Sequence, residues 1–265
     1  MYDYEAMVWG LNEVRTDARY LGALRLRYAL AELDGVSGKV LEVGCGGGGM
    51  ARALKHYRPD LDVYGCDISL RAVTEAIIRS KDVQASAGAA EALPFKSGEF
   101  RAVLMFDVLE HLENPERAIA EASRVLGEVG VVHASVPLEG EVWTIQGSLR
   151  RFGHTGFERT VGHVQAFEAV SLQRMFSELG LRNLRIKWSG HIISQLAHTA
   201  YVFWLRLRNK RQPSMSVESY LATSDRGYRR EGVRALKNAI AALIYYESVF
   251  LQRSRGAIAH LTAEK

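Results

Sequence analysis

Five of the six residues from 44 to 49 are glycine, in the run Gly44-Cys45-Gly46-Gly47-Gly48-Gly49. The spacing Gly44-x-Gly46-x-x-Gly49 suits a turn that wraps a nucleotide-like ligand. Glycines let the chain turn tightly and let a ligand approach with no Cβ in the way. A helix that follows points its N-terminus at that ligand. Asp67 stands where an acid would reach ribose hydroxyls. Glu42 lies two residues before Gly44 in an apolar run. Against a pyrophosphate a carboxylate there would repel by about 4 kcal/mol at 4 Å and intermediate dielectric. The same carboxylate attracts a ligand that carries positive charge. In the pair Glu110-His111, His111 stands at the mouth of the expected site and, with His163 further on, is a candidate for a direct role. Glu110 can equally open a helix, where a negative charge suits the dipole. His154 and His163 both sit in an irregular stretch. Cys45 and Cys66 read as small packing residues, since neither has an evident base beside it. No His/Cys metal-ligand spacing occurs, so no metal is expected.

These residues need a frame. Residues 13–34 carry apolar positions at helical spacing (Val14, Ala18, Leu21, Leu24 or Arg25, Tyr28) and end in the turn formers Asp34 to Gly38. The runs 39–43, 62–66, 83–86, 101–106 and 130–136 read as strands, and 50–56, 69–80 and 115–126 as the helices between them. This alternation predicts βαβ units, a doubly wound and mostly parallel Rossmann-like sheet with helices on both faces. Residues 138–166 break the rhythm and read as a long loop region. A helix over 169–179 and a strand over 181–188 follow. Apolar-faced helices near 191–207 and 231–251 are then joined by a basic linker containing Pro213. The end, 256–265, reads as a last strand.

Val40-Leu41-Glu42-Val43-Gly44-Cys45-Gly46-Gly47-Gly48 resembles the first motif of the class I S-adenosylmethionine-dependent methyltransferases, in particular their small-molecule group. Val63 to Ser69, Gly88 to Phe95, Phe100 to Leu112 and Arg124 to Gly130 resemble the four motifs that follow in that family. His163-Val164-x-x-Phe167 and the final strand resemble its later part, so the likeness spans about 38–188 and 256–265. The resemblance implies a seven-stranded sheet with an antiparallel last strand, and S-adenosylmethionine as cofactor with S-adenosylhomocysteine as product. It implies that Glu42 and Gly44 hold the methionine end, with Cys45 in the hairpin and Gly46 allowing close approach. Asp67 would bind the ribose, with Ile68 against the adenine face. Ala90 (by its backbone) and Glu91 would border the adenine, and Phe106 would offer backbone to the amino-acid part. His111 and His163 are the candidates for a catalytic role. Ala89 departs from the pattern, since many relatives carry Asp there. The expected division is an N-terminal cap over 1–37, to which Tyr2, Tyr4 and Trp9 belong, a cofactor-binding core over 38–188, a helical insertion over 189–255, and the last core strand over 256–265.

Composition bounds the rest. Of the 265 residues, 48% are hydrophobic and 24% charged, which excludes a disordered tail and a disulfide scaffold. The two cysteines suit a reducing compartment. The N-terminus has no basic segment leading into an apolar one, and the best long apolar candidate, 188–205, holds too many polar residues for a confident span. A cytoplasmic protein, at most peripheral at a membrane, is expected. The net charge of +4 is divided, −5 over 1–184 and +9 over 185–265. Basic flanks on apolar helical faces suit contact with an anionic membrane through 189–255 and a small-molecule or lipid-like acceptor. The alternative is that these helices pack together and roof the site. Nucleic acid is not an expected partner, since no stacking groove or RNA-binding motif is present. A non-catalytic partner protein of the same fold and a nicotinamide-dependent oxidoreductase stand as alternatives.

Overall fold

The computed structural model describes Glu5, Val8 and residues 13–153, 162–207 and 231–265. Its centre is one seven-stranded sheet, built from β1 (Gly38–Val43), β2 (Leu61–Asp67), β3 (Gln84–Ala87), β4 (Phe100–Phe106), β5 (Leu126–Pro137), β6 (Arg182–Ser189) and β7 (Ile258–Glu264). The order across the sheet is β3-β2-β1-β4-β5-β7-β6. The first five strands pair in parallel, and β7 runs antiparallel to both neighbours. The expected α/β class and antiparallel last strand are therefore present.

The central strands are apolar on both sides because helices cover both faces. Leu41, Val43, Val103 and Met105 belong to a core shared with α4 (Pro115–Val125) and α6 (Ala169–Glu178). Val40, Ala102 and Leu104 belong to a second core, packed under α1 (Leu21–Glu32) and α2 (Gly49–Tyr57). Helix α3 (Leu70–Arg79) starts at Ser69, whose hydroxyl accepts from the Ala72 amide at 3.1 Å. That cap fixes the helix entry immediately after Asp67.

Several boundaries differ from the sequence reading. The first helix begins at Leu21; Val14 is buried in the second core from a non-helical stretch. Strand β5 starts at Leu126, directly after α4, with a register irregularity against β4 between Phe100 and Ala102. The region 138–166 holds a helix, α5 (Ile145–Arg151), capped by Thr144, whose hydroxyl accepts from the Gly147 amide at 2.9 Å. Two long helices, α7 (Ile192–Leu207) and α8 (Glu231–Phe250), occupy the stretch before β7. Tyr2, Tyr4, Trp9, His154 and Pro213 lie outside the described residues.

The strand order reverses between β1 and β4, which opens a crevice at their carboxyl ends. Among the described residues, the candidates lie near the end of one of these strands or on the segment that leaves it.

Candidate functional site

The turn after β1 is held against the tip of β2. The Gly44 and Cys45 amides both donate to the Cys66 carbonyl, at 2.7 and 3.1 Å. Gly44, Gly46 and Gly48 all have positive φ, 72°, 51° and 73°. A Cβ on Gly44 would come within 2.5 Å of Val108 Cγ2, so the turn after β1 and the turn after β4 touch here. Glycine is required at 44 both for backbone conformation and for space.

Asp67 ends β2 and is tied on both oxygens. Oδ2 accepts from the Gly46 amide at 2.8 Å and Oδ1 from the Ser69 amide at 2.9 Å. Burial pushes its carboxyl above the usual range, against the pull of those two amides. Ile68 beside it is 59% exposed, an apolar surface left facing outward. The Gly88 amide donates to the Asp67 carbonyl at 3.0 Å and brings the segment after β3 alongside. Ala90 in that segment is buried and Glu91 half-buried.

Glu42 is buried near the end of β1, and its Oε2 has no hydrogen-bond partner. Burial pushes its pKa up to about 8, and the nearby Asp67 adds to the rise. A buried acid with an orphaned oxygen, beside a turn of glycines and a ribose-compatible Asp67, fits a ligand that bears an ammonium and a ribose. Those residues fit S-adenosylmethionine on the chemistry of their polar groups.

Phe106, half-buried, ends β4, and the turn after it opens on Asp107, whose φ of 54° lies in the left-handed region. A non-glycine residue held there stores strain. Arg25 of α1 holds the Asp107 carboxylate at 2.8 Å, and the Ser135 hydroxyl donates to it at 3.3 Å. A 3-10 turn, Leu109–His111, follows.

His111 and His163 come together although 52 positions separate them; their rings lie edge-on with centroids 4.8 Å apart. His163 Nδ1 meets Glu139 Oε1 at 2.8 Å, and His111 Nδ1 meets the Gly162 carbonyl at 3.1 Å. Both Glu110 carboxyl oxygens are buried with no hydrogen-bond partner. Burial lowers the His111 pKa to about 4, and the charge of His163 adds to this. Burial disfavours charge on His163 as well, but Glu139, Glu110 and Asp107 together hold it above its ordinary value. Burial pushes Glu110 up, with Asp107 adding to the effect.

The structure thus gathers Glu42, Gly44, Cys45, Gly46, Asp67, Ile68, Ala90, Glu91 and Phe106 around the ends of β1 to β4, and His111 with His163 above β4 and β5. Arg25, Asp107 and Glu139 complete this end of the sheet beside Glu110, and sequence reasoning gave those three no such part. Asp107 carried a signal, since it follows the strand directly within the motif Phe100 to Leu112. Arg25 and Glu139 carried none, because each reaches the site through tertiary packing. Among the described residues no helix is long and apolar enough to cross a membrane.

Comparison with known proteins agrees with this fold. A methyltransferase-domain family model matches residues 14–186. A demethylmenaquinone methyltransferase of Thermotoga maritima is 34% identical over 92 residues, 35% of this chain and 40% of that protein. A ubiquinone biosynthesis O-methyltransferase of Sodalis glossinidius is 29% identical over 136 residues, covering 48% and 53%. The chain spans about half the length of these curated relatives. A solved SAM-dependent methyltransferase from Thermotoga maritima, titled a possible histamine N-methyltransferase, shares the fold. Its TM-score is 0.54 and its identity 21%, with 91% of this chain and 92% of that one covered.

Proposed function

This chain belongs to the class I S-adenosylmethionine-dependent methyltransferases, and we propose that it moves the donor's methyl group to a small-molecule or lipid-like acceptor by in-line displacement. The observation that carries this reading is the buried Glu42 carboxyl with its unpartnered oxygen below the glycine turn. When bound, the donor supplies an electrophilic methyl on a sulfonium, with a neutral thioether as leaving group.

The chain's own residues bind and orient. Glu42 accepts from the donor's ammonium, Gly44, Cys45 and Gly46 leave room for close approach, and Asp67 takes the ribose hydroxyls. Ile68, the Ala90 backbone and Glu91 border the adenine, and the Phe106 backbone meets the amino-acid part. Little charge departs with the leaving group, so alignment and exclusion of water supply most of the acceleration, with proximity alone worth up to about 7–11 kcal/mol. A base is needed only where the acceptor is an undissociated hydroxyl or a carbon acid. His111 is suited to that task. Its Nδ1–H donates to the Gly162 carbonyl, so Nε2 holds the lone pair that takes a proton. His163, fixed by Glu139, positions His111 from the edge of its ring.

Acceptor entry is assigned to the apolar rim beyond β5 and β6. Trp143, Ile192, Leu196 and Phe203 are 41%, 68%, 56% and 63% exposed there. Names of the relatives, quinone-pathway methyltransferases among them, support a lipid-like acceptor. On α8, Leu236, Leu243 and Phe250 repeat at seven-residue intervals on an exposed face, with Arg253 and Arg255 just beyond. This face and the +9 charge of the last third support peripheral contact with an anionic membrane. Flotation with vesicles containing phosphatidylserine tests the contact: binding at low salt is expected, and its absence there removes it.

The test of the main reading is calorimetric titration with S-adenosylhomocysteine and with NAD. Saturable heat with the first and none with the second is expected; the reverse overturns the assignment.

A further inference from the structure

We infer that Arg25 of α1 is a positioning residue for methyl transfer: by holding the Asp107 carboxylate it keeps the turn after β4 in the shape that seats the donor. The use of that hold rests on the methyl-transfer reading, whereas the hold itself does not.

Asp107 opens the turn with a φ of 54°. A residue other than glycine is seldom found there and persists only where its surroundings over-determine it. Three ties do so. The Asp107 amide donates to the Ser135 carbonyl at 3.0 Å, the Ser135 hydroxyl donates to Asp107 Oδ1 at 3.3 Å, and Arg25 Nη1 donates to Oδ2 at 2.8 Å. The first fixes only the backbone nitrogen, and the hydroxyl bond is long. The third is a charge-assisted bond from a guanidinium whose side chain is 13% exposed, and bonds of that kind are the strong ones. Arg25 is therefore the main tie on the Asp107 side chain.

The turn stands between the two halves of the site. Phe106, just before it, is the residue whose backbone the methyl-transfer reading sets against the donor's amino-acid part. Val108, just after Asp107, packs so closely on the glycine turn that a Cβ on Gly44 would lie 2.5 Å from its Cγ2. The 3-10 turn Leu109–His111 follows at once, and the His111 amide donates to the Val108 carbonyl at 3.0 Å. A change of backbone at Asp107 thus moves the wall of the donor site and the start of the segment that carries His111.

Helix α1 presents the guanidinium from a fixed base. Arg25, Tyr28 and Glu32 lie along one stripe of the helix. Glu32 meets Lys187 of β6 at 2.8 Å, the Tyr28 ring meets the His260 ring of β7 edge-on with centroids 4.8 Å apart, and Arg25 reaches the turn after β4. Leu24 and Tyr28 also pack with Tyr245 of α8. A group carried on a helix pinned at several points is held more precisely than one on a loop.

Two measurements on the full-length chain test this. Without donor, the Cα and Cβ chemical shifts of Asp107 report its backbone conformation. They are expected to show a positive φ in wild type and to move away from it in Arg25→Met. Affinity for S-adenosylhomocysteine, by calorimetry, is expected to fall about tenfold in Arg25→Met as the strained turn relaxes. Adding Asp107→Gly to Arg25→Met is expected to recover most of that loss, because glycine takes a positive φ at no steric cost. Lys187→Met loosens the other end of α1 without touching the turn, and is expected to lower Tm and leave donor affinity unchanged. Arg25→Lys keeps the charge on a shorter reach and is expected to bind with intermediate affinity, which carries the test if Arg25→Met does not fold. Unmoved Asp107 shifts in Arg25→Met, wild-type affinity in Arg25→Met and Arg25→Lys, no recovery in the double variant, or an equal loss in Lys187→Met overturns the inference. If wild type takes up no S-adenosylhomocysteine, the methyl-transfer reading falls, and the shifts still decide whether Arg25 holds the turn.

Discussion

The Gly46 amide donates to Asp67 Oδ2 at 2.8 Å, so the glycine turn after β1 and the acid at the tip of β2 are one unit. The same carboxylate caps the approach to α3 through the Ser69 amide. Asp67→Asn keeps the size and removes the charge. Hydrogen bonds to a charged group contribute about 1.5–3 kcal/mol each. Affinity for S-adenosylhomocysteine is therefore expected to fall about 10- to 100-fold by calorimetry, with the fold retained by circular dichroism. Unchanged affinity would remove Asp67 from the donor site.

Gly44→Ala meets two obstacles, a φ of 72° and a Val108 methyl 2.5 Å from the new Cβ. Strain of this kind costs about 1–3 kcal/mol. A matching loss of urea stability is expected, along with weaker donor binding. Gly44→Ala combined with Val108→Ala removes the contact but not the φ strain, so it is expected to recover part of the loss. Full recovery would show that space alone matters at this turn.

His133 of β5 and His260 of β7 are both buried, and burial is the main reason each titrates below its ordinary range, His133 at about 4. Thr262 and Ser189 hold one nitrogen of each. The unfolded chain binds a proton at His133 below about pH 6.5, while the folded one resists until about 4, so this group's contribution to stability is lost as pH falls through that window. Glu42 acts in the opposite sense, since its raised pKa favours the fold at lower pH. Only the difference between variants isolates the histidine. Between pH 6.5 and 5, wild type is expected to lose about 2 kcal/mol more in urea denaturation than His133→Gln. Parallel pH profiles would contradict a neutral buried His133.

The strand and helix rhythm up to residue 137 was legible because each strand there is a short apolar run bounded by turn residues. The donor-side candidates were legible for a related reason: Glu42, the glycines and Asp67 each follow a strand directly, so chain order alone places them at one end of a parallel sheet. The acceptor side was not. Glu139 and His163 meet Glu110 and His111 through an irregular segment whose path no periodicity records. Arg25 reaches Asp107 from a helix more than 80 residues earlier, and nothing in the spacing of α1 marks it as different from its neighbours. Helix α5 was missed because it is seven residues long and amid glycines and aromatics.

The role of Glu42 is open to the most direct test. Its pKa of about 8 means that the buried acid is largely protonated at pH 7 before a cationic donor arrives. An ammonium beside it favours the carboxylate, so binding must expel the proton. Calorimetry with S-adenosylhomocysteine at pH 7, repeated in buffers of different ionisation enthalpy, counts the protons released. Release of close to one proton is expected in wild type and none in Glu42→Gln, which should also bind more weakly. Tight binding with no proton release in wild type, or with the same release in Glu42→Gln, would contradict Glu42 as the group that grips the cationic donor.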